Sequence, residues 1–296
     1  MNRLLSCAAL LLLCGAAPPP KIAITIDDLP VHAPYPPGVT PLAVNRRMIA
    51  ALKAAHVPAT AFVNAVNVAD AGTMEALREW RAAGFVLGNH TWSHPHLSKL
   101  TVAQFEQDLT KDEPVLEKLG GRSDWHWFRY PFLDEGKDDA QRVAARRVLA
   151  KHGYRVAAVT MSFSDWAFTP AWARCNAKGD KAAVAELERL YLQAARENAG
   201  VARKTARELY GRDIPYVLLM HVSAMSAHMM PQVVRFYRRA GFRLVSLPKA
   251  ERDPAYAAYT DLSLAPPPPD WKRATQKGVT LPSAADHSAK LNAICT

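Results

Sequence analysis

The sequence predicts an α/β fold in which about seven parallel strands close into an incomplete (β/α) barrel. Three observations carry that reading. Short apolar, β-branched runs alternate with longer runs of helical periodicity from residue 22 to residue 247. Their spacing is that of β-α units, in which helical crossovers join parallel strands. Seven strands also exceed a small open sheet, so the sheet is expected to curl towards closure.

Residues 22–28 form the first strand, an apolar run that ends in two acids. Residues 41–55 read as a helix with Thr40 as N-cap and Pro41 at its first position. Further strands are expected at 59–64, 85–89, 125–130, 154–161, 216–221 and 243–247. The intervening helices are 72–83, stopped by Gly84, and 101–119, started by Thr101, kinked at Pro114 and closed by Gly120-Gly121. Next come 138–152, ended by Gly153, then 180–210, broken near Gly200, then 227–240, ended by Gly241. After Pro248 the periodicity fades. Pro266 to Pro269 is a stiff polyproline stretch, and 249–296 reads as a Pro-rich tail, wrapped on the surface or partly disordered.

With 296 residues, 49% of them hydrophobic, the chain can bury one large core or two modest ones, and it is too apolar for disorder. Four cysteines are too few for a disulfide scaffold. The net charge of +10 favours acidic surfaces in general and selects no particular partner. No helix combines clustered base-reading residues with a recognisable motif, so a nucleic-acid binder is not expected.

Arg3, the apolar run from Leu4 to Cys14 and the small residues Gly15-Ala16-Ala17 read as a signal peptide over 1–17. That run is too short to span a bilayer, and no other segment reaches transmembrane length. The expectation is export to the periplasm or beyond. Cys14-Gly15 offers an alternative lipid-anchoring site, which Leu13 fits poorly. Residues 21–248 would then form the barrel domain. Cys175 and Cys295 remain after cleavage in a compartment that permits a disulfide, with two independent free thiols as the favoured expectation.

In parallel β/α folds, working residues sit at the C-terminal ends of strands. Here those ends carry Asp27-Asp28, Asn89-His90, Arg129, Asp165 just beyond the fifth strand, and His221, while the strand bodies are nearly free of ionisable groups. Core packing does not explain five such coincidences. Asp27 and Asp28 alone would suit a capped turn. As neighbours on a strand they point to opposite sides, so one can serve a metal and the other a proton. His90 and His94 lie four apart, which places both on one face of a short helical turn ahead of Pro95. With an Asp from another strand they make a His-His-Asp set with open coordination positions, as a catalytic metal needs. Arg129, set among aromatic residues, is costly to bury unpaired and should meet Asp27. His221 closes a buried run on the same rim and reads as an acid catalyst.

Together these motifs resemble the polysaccharide deacetylases of carbohydrate esterase family four, the NodB homology group. Thr25-Ile26-Asp27-Asp28, His90 to His94, Arg129-Tyr130-Pro131-Phe132, Asp165-Trp166 and Leu219-Met220-His221 follow the family order from about Lys21 to Leu247. The chain departs from the pattern at Leu29 (usually Gly), Phe132 (usually Tyr), Ser162 (usually Asp) and Val222 (usually Asp). The resemblance implies a deformed (β/α) barrel and a metal-dependent deacetylase acting on amide or ester bonds of an acetylated glycan in the cell envelope. Asp28, His90 and His94 would hold one divalent ion, with zinc first and cobalt, nickel or manganese also suited. Asp27 would be the general base, oriented by Arg129. His221 would be the general acid, with Asp165 expected to contact it in place of the absent family carboxylate. Phe132, through its backbone N–H, would serve the oxyanion, and Trp166 and Leu219 would line the substrate site. Two rivals share this barrel: a hydrolase of small amides, and a glycan binder that kept the metal set. Trp92, Trp127 and Trp166 as sugar-stacking rings count against the first, and intact Asp27, Arg129 and His221 count against the second.

Overall fold

The computed structural model describes residues 18–120 and 124–296; the expected signal peptide and Gly121 lie outside them. The described strands form one eight-stranded sheet in which every pair is parallel. It curls as an open barrel with helices packed outside. At its centre lies β1 (Lys21–Leu29), buried over almost its whole length. On one side it pairs with β2 (Thr60–Val63), followed by β3 (Val86–Asn89), β4 (Trp127–Phe128) and β5 (Arg155–Val156). On the other side stand β7 (Tyr216–His221) and then β6 (Met161–Ser162), while β8 (Arg243–Leu244) extends the ladder beside the start of β1. The β1–β7 register sets Asp27 opposite His221, and the β3–β4 register sets Asn89 opposite Phe128. The polar strand ends therefore share one rim.

The main correction to the expected strands concerns 154–161. This extended run is not one strand but two, β5 and β6, at opposite edges of the sheet. Chain continuity bridges the barrel there, where strand pairing does not. Side chains satisfy backbone groups in the gap and tie it to β7. The Ala158 N–H donates to Glu251 Oε1 at 2.8 Å, Arg129 Nε donates to the Ala157 carbonyl at 2.9 Å, and Val217 N–H donates to Thr160 Oγ1 at 2.9 Å.

The helices start where the sequence supplies caps. α1 (Pro41–Ala54) follows Thr40, whose hydroxyl accepts from Ala43 N–H. α2 (Ala71–Ala82) has a reciprocal Asp70–Thr73 cap. Next come α3 (Val102–Gly120), which contains Pro114, and α4 (Asp139–Lys151), capped by Asp138. An unexpected helix, α5 (Phe168–Ala177), follows β6. α6 (Lys181–Tyr210) runs unbroken through Gly200. Ala194, Ala195, Ala199, Ala202 and Ala206 keep its buried face continuous, and that packing offsets the cost of one internal glycine. α7 (Ala224–Arg239) begins three residues earlier than expected because Ser223 caps it.

The C-terminal segment is docked rather than loose. Tyr256, Ala274 and Leu291 are buried, and short helices occur at Asp270–Lys277 and Ser288–Ala293. Cys175 and Cys295 form a disulfide, which corrects the expectation of two free thiols. Arg174 prepares the contact: its guanidinium donates to the carbonyls of Leu291 and Ile294, fixing the tail beside α5.

Candidate active site

The rim gathers Asp27, Asp28, His90, His94, Phe132, Trp166, Leu219 and His221 into one cavity of about 320 Å³, within the range of small-molecule sites, while Arg129 and Asp165 are buried behind it. Asp28 leaves β1 in the left-handed region (φ 65°), a conformation that Asp tolerates. The Asp28 carboxylate faces two imidazoles: Oδ1 lies 3.5 Å from His90 Nε2 and 3.3 Å from His94 Nε2. No helical turn carries the two histidines, contrary to expectation. Pro95 disfavours right-handed helix at His94, and the backbone turns instead through positive φ at Thr91 (63°) and His94 (55°). Asn64 and Asn89 hold that turn. Asn64 Nδ2 donates to the His90 and Thr91 carbonyls at 2.6 and 2.9 Å, and Asn89 Oδ1 accepts from Thr91 N–H at 2.7 Å.

The donor set suits a divalent cation. His90 Nδ1 meets the Arg129 carbonyl at 2.7 Å, so this nitrogen carries the proton and Nε2 presents a lone pair. Burial, with His90 beside it, pushes the His94 imidazole down to about 4, which keeps it neutral as a ligand must be. Asp28 Oδ1 is buried with no hydrogen-bond partner among the described residues, an orphaned acceptor aimed at this space. The candidate ligand atoms of Asp28, His90 and His94 all lie within 4.8 Å of one another.

Asp27 is not turned to the opposite side as strand alternation predicts: with the backbone twisted at Asp28 (φ 65°), Asp27 lines the same cavity and its Oδ2 lies 3.7 Å from His90 Nε2. Arg129 Nη1 donates to Asp27 Oδ2 at 3.3 Å, Arg129 Nη2 donates to Thr25 Oγ1 at 3.1 Å, and the guanidinium sits over the Phe62 ring. The expected Arg129–Asp27 pair is thus present, both partners being buried. Asp27 Oδ1 has no hydrogen-bond partner among the described residues.

His221 meets Asp165 twice, as expected. Its Nδ1 lies 2.8 Å from Asp165 Oδ1, and its backbone N–H donates to Oδ2 at 2.9 Å. Burial disfavours the imidazolium, but the adjacent Asp165 carboxylate outweighs it and raises His221 to about 9. Burial likewise opposes the Asp165 charge, which His221 and the Ser226 hydroxyl hold in place. Ser162 lines the cavity, but Asp165 is the residue that reaches His221.

At the mouth, Phe132 and Trp166 are 56% and 52% exposed. The Phe132 ring stacks on His96 at 3.8 Å and meets His94 edge-on. Positive φ at both Phe132 and Leu133 turns this segment outward. Leu133 and Asp134 spend their N–H groups on the Tyr130 and Pro131 carbonyls. Leu219 lines the same cavity. Of the three tryptophans expected to stack on sugars, only Trp166 lines the cavity: Trp127 is buried in the core, and Trp92 lies outside the cavity lining, packed against the core with Lys111 over its ring.

Sequence reasoning missed three contributors. His32 Nδ1 bonds Asp28 Oδ2 at 2.7 Å, and its ring lies 4.9 Å from that of His221. Burial opposes the Asp28 charge, yet His32 and His90 together hold its carboxyl well below the ordinary range. Thr25 anchors Arg129 and donates to the Leu218 carbonyl. Ser226 donates to Asp165 Oδ2 at 2.7 Å from the first turn of α7. A histidine four residues after the acid pair was the available signal for His32. The Ser223-x-x-Ser226 cap was the signal for Ser226.

Residues 15–157 match the profile of the family described as "Polysaccharide deacetylase". The chain is similar to a peptidoglycan-N-acetylglucosamine deacetylase of Bacillus cereus, with 29% identity over 34% of this chain and 32% of that protein. It is also similar to a chitin deacetylase of Colletotrichum lindemuthianum, with 30% identity over 39% of this chain and 43% of that one. The chain thus matches less than half the length of either relative. Among solved structures it resembles a family four carbohydrate esterase pseudoenzyme from Bacillus anthracis, with TM-score 0.56, 15% identity, and coverage of 78% of this chain and 65% of that one. At that identity the likeness concerns the fold alone.

Proposed function

We propose that this chain, whose residues 15–157 match the polysaccharide deacetylase family, is a working, metal-dependent deacetylase of an acetylated glycan, exported to the cell envelope. The observation that carries this reading is the coexistence on one rim of a three-ligand metal set, a buried Arg-supported carboxylate and a carboxylate-supported histidine. A glycan binder needs none of the last two. No described helix is long and apolar enough to cross a membrane. Export rests on the expected signal peptide, and the disulfide is compatible with it.

Asp28, His90 and His94 would hold the divalent ion, zinc being the first choice for this donor set. When bound, the ion supplies Lewis acidity and an activated water. The protein's own groups do the rest. Asp27 accepts the water proton at Oδ1, the oxygen without a partner, while Arg129 holds Oδ2 and fixes the carboxylate plane. The Phe132 N–H serves the developing oxyanion. His221 spends Nδ1 on Asp165 and offers the Nε2 proton to the leaving amine or alcohol. Trp166 and Leu219 exclude water around the acetyl methyl.

The test is acetate release by the purified chain from acetylated peptidoglycan, chitin oligomers, exopolysaccharide and xylan, with and without chelator. Release from at least one, abolished by chelation and restored by a divalent metal, is expected. Release from small amides alone would favour the first rival. No release from any substrate by metal-loaded protein would favour the non-catalytic binder.

A further inference from the structure

A second cleft, of about 410 Å³, adjoins the catalytic cavity and shares Ser162 and Trp166 with it. The exposed Trp166 ring is the partition between the two. The inner wall comes from α6, through Glu197 and Asn198, and the outer wall from the tail, through Ala285, Asp286 and His287. Residues 278–287 lack regular secondary structure, yet this wall is held at several points. His287 Nε2 pairs with Glu197 Oε2 at 2.9 Å, Leu291 is buried, and Cys295 is bonded to Cys175.

We propose that this cleft is a subsite for a neighbouring pyranose residue of the glycan, so that the C-terminal tail sets a preference for chains over single sugars. The inference rests on the deacetylase reading for the identity of the reacting residue, and on the cleft's own chemistry for the rest. A pyranose offers a C–H face and a hydroxyl edge. The Trp166 indole suits the face. The edge would meet Asn198, whose Oδ1 already accepts from Ser162 N–H at 3.0 Å and whose Nδ2 has no partner among the described residues. The Asp286 carboxylate accepts from the Ser288 backbone and keeps acceptor capacity. Glu197 and Asp286 give this cleft acidic lining although the chain as a whole carries +10. A neutral or amino sugar fits it, and a uronic acid or phosphate-bearing unit does not.

The probes are chitotetraose and its monosaccharide unit, N-acetylglucosamine, with 4-nitrophenyl acetate as an ester that reaches only the catalytic cavity. The variant is Ala285→Trp, which fills the cleft from an exposed tail position and removes no named contact. Binding is read by calorimetry and turnover by acetate or nitrophenol release, with non-reducing electrophoresis confirming that the disulfide remains. Wild type should bind and process the tetramer about tenfold better than the monomer. Ala285→Trp should erase that advantage and leave nitrophenyl acetate turnover unchanged. Acetate release with no length preference, or a preference that survives Ala285→Trp, overturns the subsite and spares the deacetylase reading. Tetramer binding weakened by Ala285→Trp without acetate release from any sugar overturns the deacetylase reading and spares the subsite. Neither binding nor release overturns both.

Discussion

Replacing Asp165 with Asn tests how the proposed acid is kept protonated. In the wild type the Asp165 carboxylate lies 2.8 Å from His221 Nδ1 and raises the imidazole to about 9. Asn keeps the size and one acceptor but removes the charge, so His221 should return to about 6.5 or, given its burial, lower. At pH 8 the imidazolium fraction is then ~0.9 in the wild type and ~0.03 in Asp165→Asn, a difference of ~30-fold. At pH 6, with the variant's imidazole at about 6.5, the two differ by less than about twofold. The direct assay is NMR titration of the His221 ring in metal-free protein. The functional assay is kcat against pH for metal-loaded protein, where the nearby cation lowers the alkaline limb in both proteins but leaves the displacement between them. Stability follows the same sign. A histidine raised on folding stabilises fully below about 6.5, and that contribution, on the order of 3 kcal/mol, is lost as pH climbs through about 9. Identical His221 titrations in the two proteins would refute the reasoning, whatever the activities.

The two acids should separate in a metal assay. Asp28→Asn and His94→Ala should lose most bound metal, whereas Asp27→Asn should retain it and lose ~10² to 10⁴ in turnover; elemental analysis beside kcat decides. His32→Ala should weaken metal affinity by ~10- to 100-fold, because Asp28 Oδ2 loses the hydrogen bond that orients it, with no change in the circular dichroism of the fold. An unchanged dissociation constant would leave His32 without that role.

The rim was legible because strand ends announce themselves: an apolar run stops at a charge, as at Asp27 and His221. Asp165 was legible for a different reason. Ser162 and Val222 leave His221 without the usual carboxylate, and Asp165 is the nearby acid that remains. The split between β5 and β6 was not legible, because both halves read as one extended run and only distant partners, Phe128 and Leu218, assign them to opposite edges. α5 was hidden by Pro170, which reads as a breaker but sits in the first helical turn, where its missing N–H costs little. The apparent break at Gly200 reflected local propensity that packing overrode. His32 lies in the loop after β1, where periodicity carries no signal.

The Cys175–Cys295 bond closes a ring 120 residues along the chain. His221 lies inside that ring, whereas Asp28, His90, His94 and Asp165 lie outside it. A protease that clips the exposed stretch around Ala284 and Ala285 therefore opens a covalent circle without releasing a fragment. The nicked protein stays covalently in one piece until a reductant acts, and only then can it shed the segment that carries Cys295. Resistance to shedding after a cut is thus built into the topology of the chain, independent of how tightly the tail packs.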